Sequence, residues 1–182
     1  MDALTLLLTR QSCPRLVDPA PNDAELKTIL DAALRVPDHG ALSPFEFIIA
    51  TGDGLDRLGG IFESAARNQG ADEAFIAKAA SMPKRAPMVI TIVAKCQAHP
   101  KVPVLEQQIA AGCAAMAMQQ AAFALGLGGI WRTGDFAFDP AVHQALGLTD
   151  MDQIVGFLYL GTPAVDAPAK PGRDGMQYAR YL

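Results

Sequence analysis

The period at which hydrophobic residues recur changes along this chain, and each change marks an element. Leu4, Leu6, Leu7 and Leu8 fall within residues 2–9, which predict a short helix running into Arg10. Residues 11–21 carry prolines at 14, 19 and 21 and predict a loop. Asn22 and Glu25 have the spacing of a capping box, so a helix opens there with Leu26, Ile29, Leu30, Ala33 and Leu34 on one face. Pro37 disfavours helix in the residue before it, which ends the segment by Val36. Residues 45–51 predict a strand bounded by Gly52-Asp53-Gly54, and 55–81 predict one or two more polar helices. Near-continuous apolar runs over 87–96 and 154–160 predict central strands covered on both faces. Residues 128–132 predict a further short strand and 139–147 a short helix. The tail from Thr162, rich in Pro, Gly and Ala, predicts an extended arm over 164–182. The sum is an α+β or three-layer arrangement in a single domain spanning 1–182.

Residues 107–131 contain no charged side chain and no histidine. Such a stretch is either a membrane span or a helix buried on nearly all sides. Gln107, Gln108, Gln119 and Gln120 would be costly in lipid, and no basic cluster flanks the segment, so burial in protein is the reading adopted. Ala110, Ala114, Ala117, Ala121 and Ala124 form one smooth face that lets another helix approach closely. Ile109, Met116 and Phe123 form a bulkier stripe. The expectation is a central helix packed against a copy of itself.

Composition narrows the function. A hydrophobic content of 51% supplies an ample core, and a net charge of −4 argues against a nucleic-acid surface. The three cysteines form no CxxC pair and are odd in number, as expected for reduced thiols in the cytoplasm. Hydrolase, Walker and zinc-protease motifs are absent, and the three histidines lack metal-ligand spacing, so no metal site is expected. Gly126-Leu127-Gly128-Gly129 follows a helix instead of joining a strand to one, which weakens a dinucleotide-loop reading.

Three segments carry candidate chemistry. In Thr9-Arg10-Gln11-Ser12-Cys13-Pro14-Arg15, two guanidiniums flank a hydroxyl, a set suited to phosphate; equally, Arg10 could complement the dipole of the first helix. In Trp131-Arg132-Thr133, glycines on the approach let backbone come close to a planar ligand; a buried strand end with a core aromatic is the alternative. Arg35 and His39 follow the second helix, where a dipole contact and a solvated loop histidine explain them equally well.

Together these segments resemble the nitroreductase superfamily of FMN-dependent oxidoreductases, and within it the small YdjA-type bacterial branch. The blocks LLTRQS, LRVPDHGALSPFEF, RAPMVITIVAKC, GCAAMAMQQAA, GLGGIWRTG and DQIVGFLYLGTP carry the likeness in family order. The resemblance implies a mixed central sheet flanked by helices in an intertwined homodimer, with FMN at the subunit boundary touched by both chains. It implies that Arg10, Gln11 and Ser12 bind the phosphate or ribityl region, that Arg35 and His39 contact flavin, and that Trp131, Arg132 and Thr133 lie beside the isoalloxazine ring. No side chain is then catalytic: flavin passes hydride from NADH or NADPH to an electron-poor acceptor, a nitro compound or quinone, in ping-pong fashion. The chain departs from the commonest pattern at Gln11, at Arg15 after Pro14, and at Ala41-Leu42-Ser43-Pro44-Phe45, and Lys170 or Arg173 would have to supply basic contacts from the arm. Other outcomes on the same residues are a flavin dehydrogenase or dehalogenase, a flavin-binding dimer without turnover, and a colourless structural dimer.

Overall fold

The computed structural model describes residues 1–165 and 170–182. In chain order it holds α1 (Ala3–Thr9), β1 (Leu16–Val17), α2 (Asp23–Ala33), β2 (Phe45–Thr51), α3 (Asp53–Asn68), α4 (Glu73–Ser81), β3 (Met88–Ala94), α5 (Val104–Ala124), β4 (Gly128–Arg132), α6 (Pro140–Ala145) and β5 (Gln153–Pro163), with short 3₁₀ turns between. This is an α+β fold. Caps set the helix starts. Asp2 accepts from the backbone N–H groups of Leu4 and Thr5, and Asn22 with Glu25 closes a complete capping box.

The five strands form one sheet in the order β1-β5-β3-β2, with β4 also paired to β5. Every pairing among the described residues is antiparallel, where the resemblance implied a mixed sheet. The connections explain it. A short loop folds α3 back on α4, which returns the chain to the end of β2 it left, so β3 must run the other way. Gly59 makes that turn-back tight, because a Cβ there would collide with the Ala80 carbonyl. Sequence patterning also misplaced one boundary: Thr162 and Pro163 belong to β5, where they pair with Val17 and Leu16 of a strand expected to be loop. Two residues give no periodicity to detect. The arm expected over 164–182 lies partly outside the described residues; residues 170–182 are exposed, with one 3₁₀ turn at Gly175–Tyr178.

All seven residues of β3 are buried, so the sheet is covered on both faces. Alternation along the strands separates the two cores. Met88, Ile90, Ile92, Leu158 and Leu160 face α2 and α5. Val89, Val93, Phe157 and Tyr159 face α3, α4 and α6. Ala114, Ala115, Met118 and Ala122 of α5 pack with Ile29 and Ala33 of α2; of the alanines read as one smooth face, Ala114 is buried there, Ala121 packs partly against it, and Ala124 is exposed. Leu105, Ile109 and Cys113 are exposed on α5, as are Val104, Glu106 and Ala124. No helix among the described residues is long and apolar enough to cross a membrane.

Candidate functional site

Strand β4 is the axis of the site. Its first half receives the N-terminal loop: the Cys13 N–H donates to the Gly129 carbonyl at 2.9 Å, and the buried Gln119 amide of α5 donates to the same carbonyl and, at 3.4 Å, to the Ser12 hydroxyl. Gly128 is required for this closeness. A Cβ there would meet Leu16, Cys13 and Pro163. Arg10 caps α1 through its backbone N–H, donated to Leu6. Its side chain is half-buried, and Nη1 is fully buried without a hydrogen-bond partner. The backbone contact is one that any non-proline residue could make, and it leaves the side-chain Nη1 without a hydrogen-bond partner.

The second half of β4 sends neighbouring side chains to opposite faces. Trp131 turns toward α5, where its ring lies against Gly112, and its indole N–H donates to the Val155 carbonyl at 3.1 Å. That carbonyl is available because the β3–β5 register slips at this point: Ile92 pairs with Gly156 but Val93 pairs with Ile154, leaving Val155 as the extra residue of a bulge. Gly156 completes the arrangement, since a Cβ there would fall inside the Trp131 indole.

Arg132 turns the other way, into a cleft of about 440 Å³ shared with Phe62, Arg85, Thr133, Phe157 and Tyr159. Its guanidinium sits over the Tyr159 ring, 5.9 Å from the centroid. Its Nε is buried and has no hydrogen-bond partner. Among the described residues, the buried side-chain nitrogens and oxygens left unpartnered are this atom and Arg10 Nη1. Both belong to segments singled out from the sequence. Burial pushes the Tyr159 phenol above its usual range, and the charges of Arg85 and Arg132 offset part of that rise.

Arg35 and His39 do not join this group within one chain. Both are exposed. His39 Nδ1 pairs with Glu106 at 2.6 Å, at the start of α5, whereas Ser12 meets Gln119 near its end. At about 1.5 Å per residue, Glu106 and Gln119 are about 20 Å apart along the helix axis. Arg15, Lys170 and Arg173 are exposed as well, and Arg173 stacks on Tyr178. Gln11 lines a second cavity with Met1, Cys13 and Phe123. No group of three or more His, Cys, Asp or Glu among the described residues could hold a metal ion.

Arg85 and Tyr159 were missed from sequence. The first had a readable signal: Lys84 and Arg85 stand between Pro83 and Pro87, two cations in a stiff loop, the logic applied to Arg10 and Arg15. Tyr159 had none. It reaches Arg132 only through register, which pairs Arg132 with Phe157 and Ile130 with Tyr159 and so makes Tyr159 the diagonal neighbour.

Residues 7–162 match the model of the Nitroreductase family, and the chain belongs to that family. "Putative NAD(P)H nitroreductase YdjA" of Escherichia coli (strain K12) is 49% identical over 167 residues, 92% of this chain and 91% of its own. A nitroreductase-like family protein from Bacillus cereus superposes with a TM-score of 0.85 at 19% identity, covering 100% of this chain and 96% of its own. A Desulfovibrio desulfuricans nitroreductase solved in complex with FMN gives 0.75 at 22%, covering 98% and 95%.

Proposed function

We propose that this protein is an FMN-dependent oxidoreductase that moves hydride from NAD(P)H to an electron-poor acceptor, a nitro compound or a quinone, in a ping-pong cycle. The observation that carries the reading is the pair of buried, unpartnered guanidinium nitrogens at Arg10 and Arg132. An unsatisfied buried donor costs about 1–3 kcal/mol, more when charged, so two of them in ligand-facing segments argue for an anionic or carbonyl-rich partner. The donor set fits FMN. Arg10, Gln11 and Ser12 would hold the phosphate and ribityl chain, and Trp131, Arg132 and Thr133 would flank the ring. FMN, when bound, supplies the hydride chemistry itself.

The chain's own contribution is placement. Gln119 ties Ser12 to β4, and the indole latch to Val155 fixes the strand end that carries Arg132 and Thr133. His39, held by Glu106 at the opposite end of α5 from Ser12, and the exposed Arg35 would reach the cofactor from a second protomer, which makes the functional unit a homodimer. The outward stripe of Leu105, Ile109 and Cys113 on α5 supports such an interface. We place the protein in the cytoplasm, where its three cysteines, all free, would remain reduced.

The test is a visible-absorption titration of purified protein with FMN, followed by anaerobic NAD(P)H and then a nitroaromatic or quinone. Binding, bleaching and recovery of colour are expected. Arg10→Ala should weaken FMN binding by about tenfold or more, the loss of one charge-assisted hydrogen bond to an anion. Unchanged affinity in Arg10→Ala removes the phosphate assignment, and a protein that never takes up FMN removes the reading altogether.

A further inference from the structure

The cleft on the α3–α4 side of the sheet has more chemistry than Arg132 and Thr133 alone require. Its floor is aromatic: Phe62 stacks on Phe136 at 4.5 Å with ring planes 4° apart, and Phe157 meets Phe62 edge-on at 5.2 Å. Into this apolar space project two cations, Arg85 and Arg132. Neither forms an ion pair with a carboxylate among the described residues, although five other cationic side chains do. Arg85 is itself exposed, while Arg132 is half-buried with Nε shut off from water and unpartnered. One carboxylate, Asp135, lines the same cleft; it is exposed and bonds to neither arginine.

We propose that Arg85 and Arg132 together form an anion-reading pair, and that the cleft binds the negatively polarised edge of a flat aromatic molecule. The buried rings, packed on one another, give the cleft an apolar wall that favours an apolar molecular body. Guanidiniums favour coplanar oxygen pairs, which they hold bidentately. Asp135 disfavours a molecule that is negatively charged at both ends. Two sources present this chemistry. One is the carbonyl-bearing pyrimidine edge of the flavin, in which case Arg85 is a cofactor-positioning residue. The other is the carboxylate of an aromatic acid, in which case Arg85 selects the acceptor. The inference rests on the proposed function for its first source only.

The experiment compares benzoate with benzamide, a neutral molecule of the same shape, on flavin-free and FMN-loaded full-length protein by calorimetry. Benzoate should bind the flavin-free protein about tenfold more tightly, and Arg85→Gln should erase the difference while leaving benzamide binding as it was. Arg85→Lys, which keeps the charge and loses the fork, should recover part of the preference. If FMN expels benzoate and Arg85→Gln weakens FMN, the flavin edge is the source. If benzoate binds the FMN-loaded protein, an aromatic acid is the source. The proposal is overturned if Arg85→Gln alters neither the benzoate preference nor FMN affinity, or if it lowers benzamide binding equally. A protein that shows the benzoate preference but takes up no FMN would sink the flavin reading and leave this one standing.

Discussion

Trp131 and Arg132 are adjacent on one strand and face opposite sides of one sheet, and they meet opposite fates. Trp131 enters a core of alanines, methionine and aliphatic residues, and its single donor finds the Val155 carbonyl. Arg132 enters a core of phenylalanines and keeps a buried donor with no partner. Small side chains on α5 allow close packing against α2 and the sheet, while a cavity of about 460 Å³ opens beside its C-terminal end at Phe123. Flat rigid rings around a charged group leave a cleft of about 440 Å³. One face of the sheet is thus closely packed, and the other holds the cleft lined by Arg85 and Arg132.

The largest test of this contrast removes core volume on each face. Phe62→Ala should cost about 3–5 kcal/mol and Met118→Ala about 2–5 kcal/mol, read from urea midpoints. The stability losses overlap, so binding separates them. Phe62→Ala should abolish retention of benzoate in the cleft, and Met118→Ala should leave it within twofold of the parent. Equal loss of binding in both variants would mean that the two faces are not functionally distinct.

A smaller effect separates a charge with partners from one without. Asp152 is buried, yet it accepts from Lys95 at 2.6 Å and from the backbone and hydroxyl of Thr149. Burial pushes its carboxyl upward, but those hydrogen bonds and the Lys95 charge outweigh it and hold the group below the ordinary carboxylate range. A depressed folded-state value stabilises the fold above the unfolded carboxylate pKa of about 4 and loses that contribution as pH falls through the folded value. Asp152→Asn should therefore cost about 1–3 kcal/mol at neutral pH and flatten the acid limb of the stability profile. An unchanged acid limb would show that other carboxylates govern it.

Next in size is the strand itself. Trp131→Phe deletes the indole N–H and should cost about 1 kcal/mol. Arg132→Gln should cost less than Trp131→Phe while weakening ligand binding, because the buried Nε has no hydrogen-bond partner to lose and the guanidinium lies 5.9 Å from the Tyr159 ring centroid, at the far limit of a cation–π contact. If Arg132→Gln destabilised more than Trp131→Phe, Arg132 would be structural.

These residues also show what the sequence disclosed. The capping box at Asn22 and the apolar runs of β3 and β5 are local patterns, and they placed α2 and the central strands. Arg10, Ser12, Trp131 and Arg132 stood out as candidates because glycine, proline and cations stand together in short segments. Register was not legible. The bulge at Val155 that frees a carbonyl for Trp131, and the diagonal that brings Tyr159 under Arg132, both arise from strand pairing across distant sequence. The same limit hid β1, whose two residues become a strand only because Thr162 and Pro163 lie beside them.

The smallest effect is the sharpest check on the binding face, because it needs no ligand. Burial raises the Tyr159 phenol, and Arg85 and Arg132 pull it partly back by stabilising the phenolate. Arg85→Gln removes one of those charges, so the phenol should titrate at still higher pH in an ultraviolet phenolate titration. Arg85→Lys should leave it close to the parent, since the charge is kept. A raised folded-state value stabilises the fold below the unfolded phenol's range, and that contribution is lost as pH rises through the folded value. The alkaline unfolding limb of Arg85→Gln should steepen accordingly. A titration that does not move would mean that Arg85 points away from Tyr159 in solution. Arg132 would then be the single cation of the cleft, and the difference between the two faces would reduce to one unsatisfied side chain.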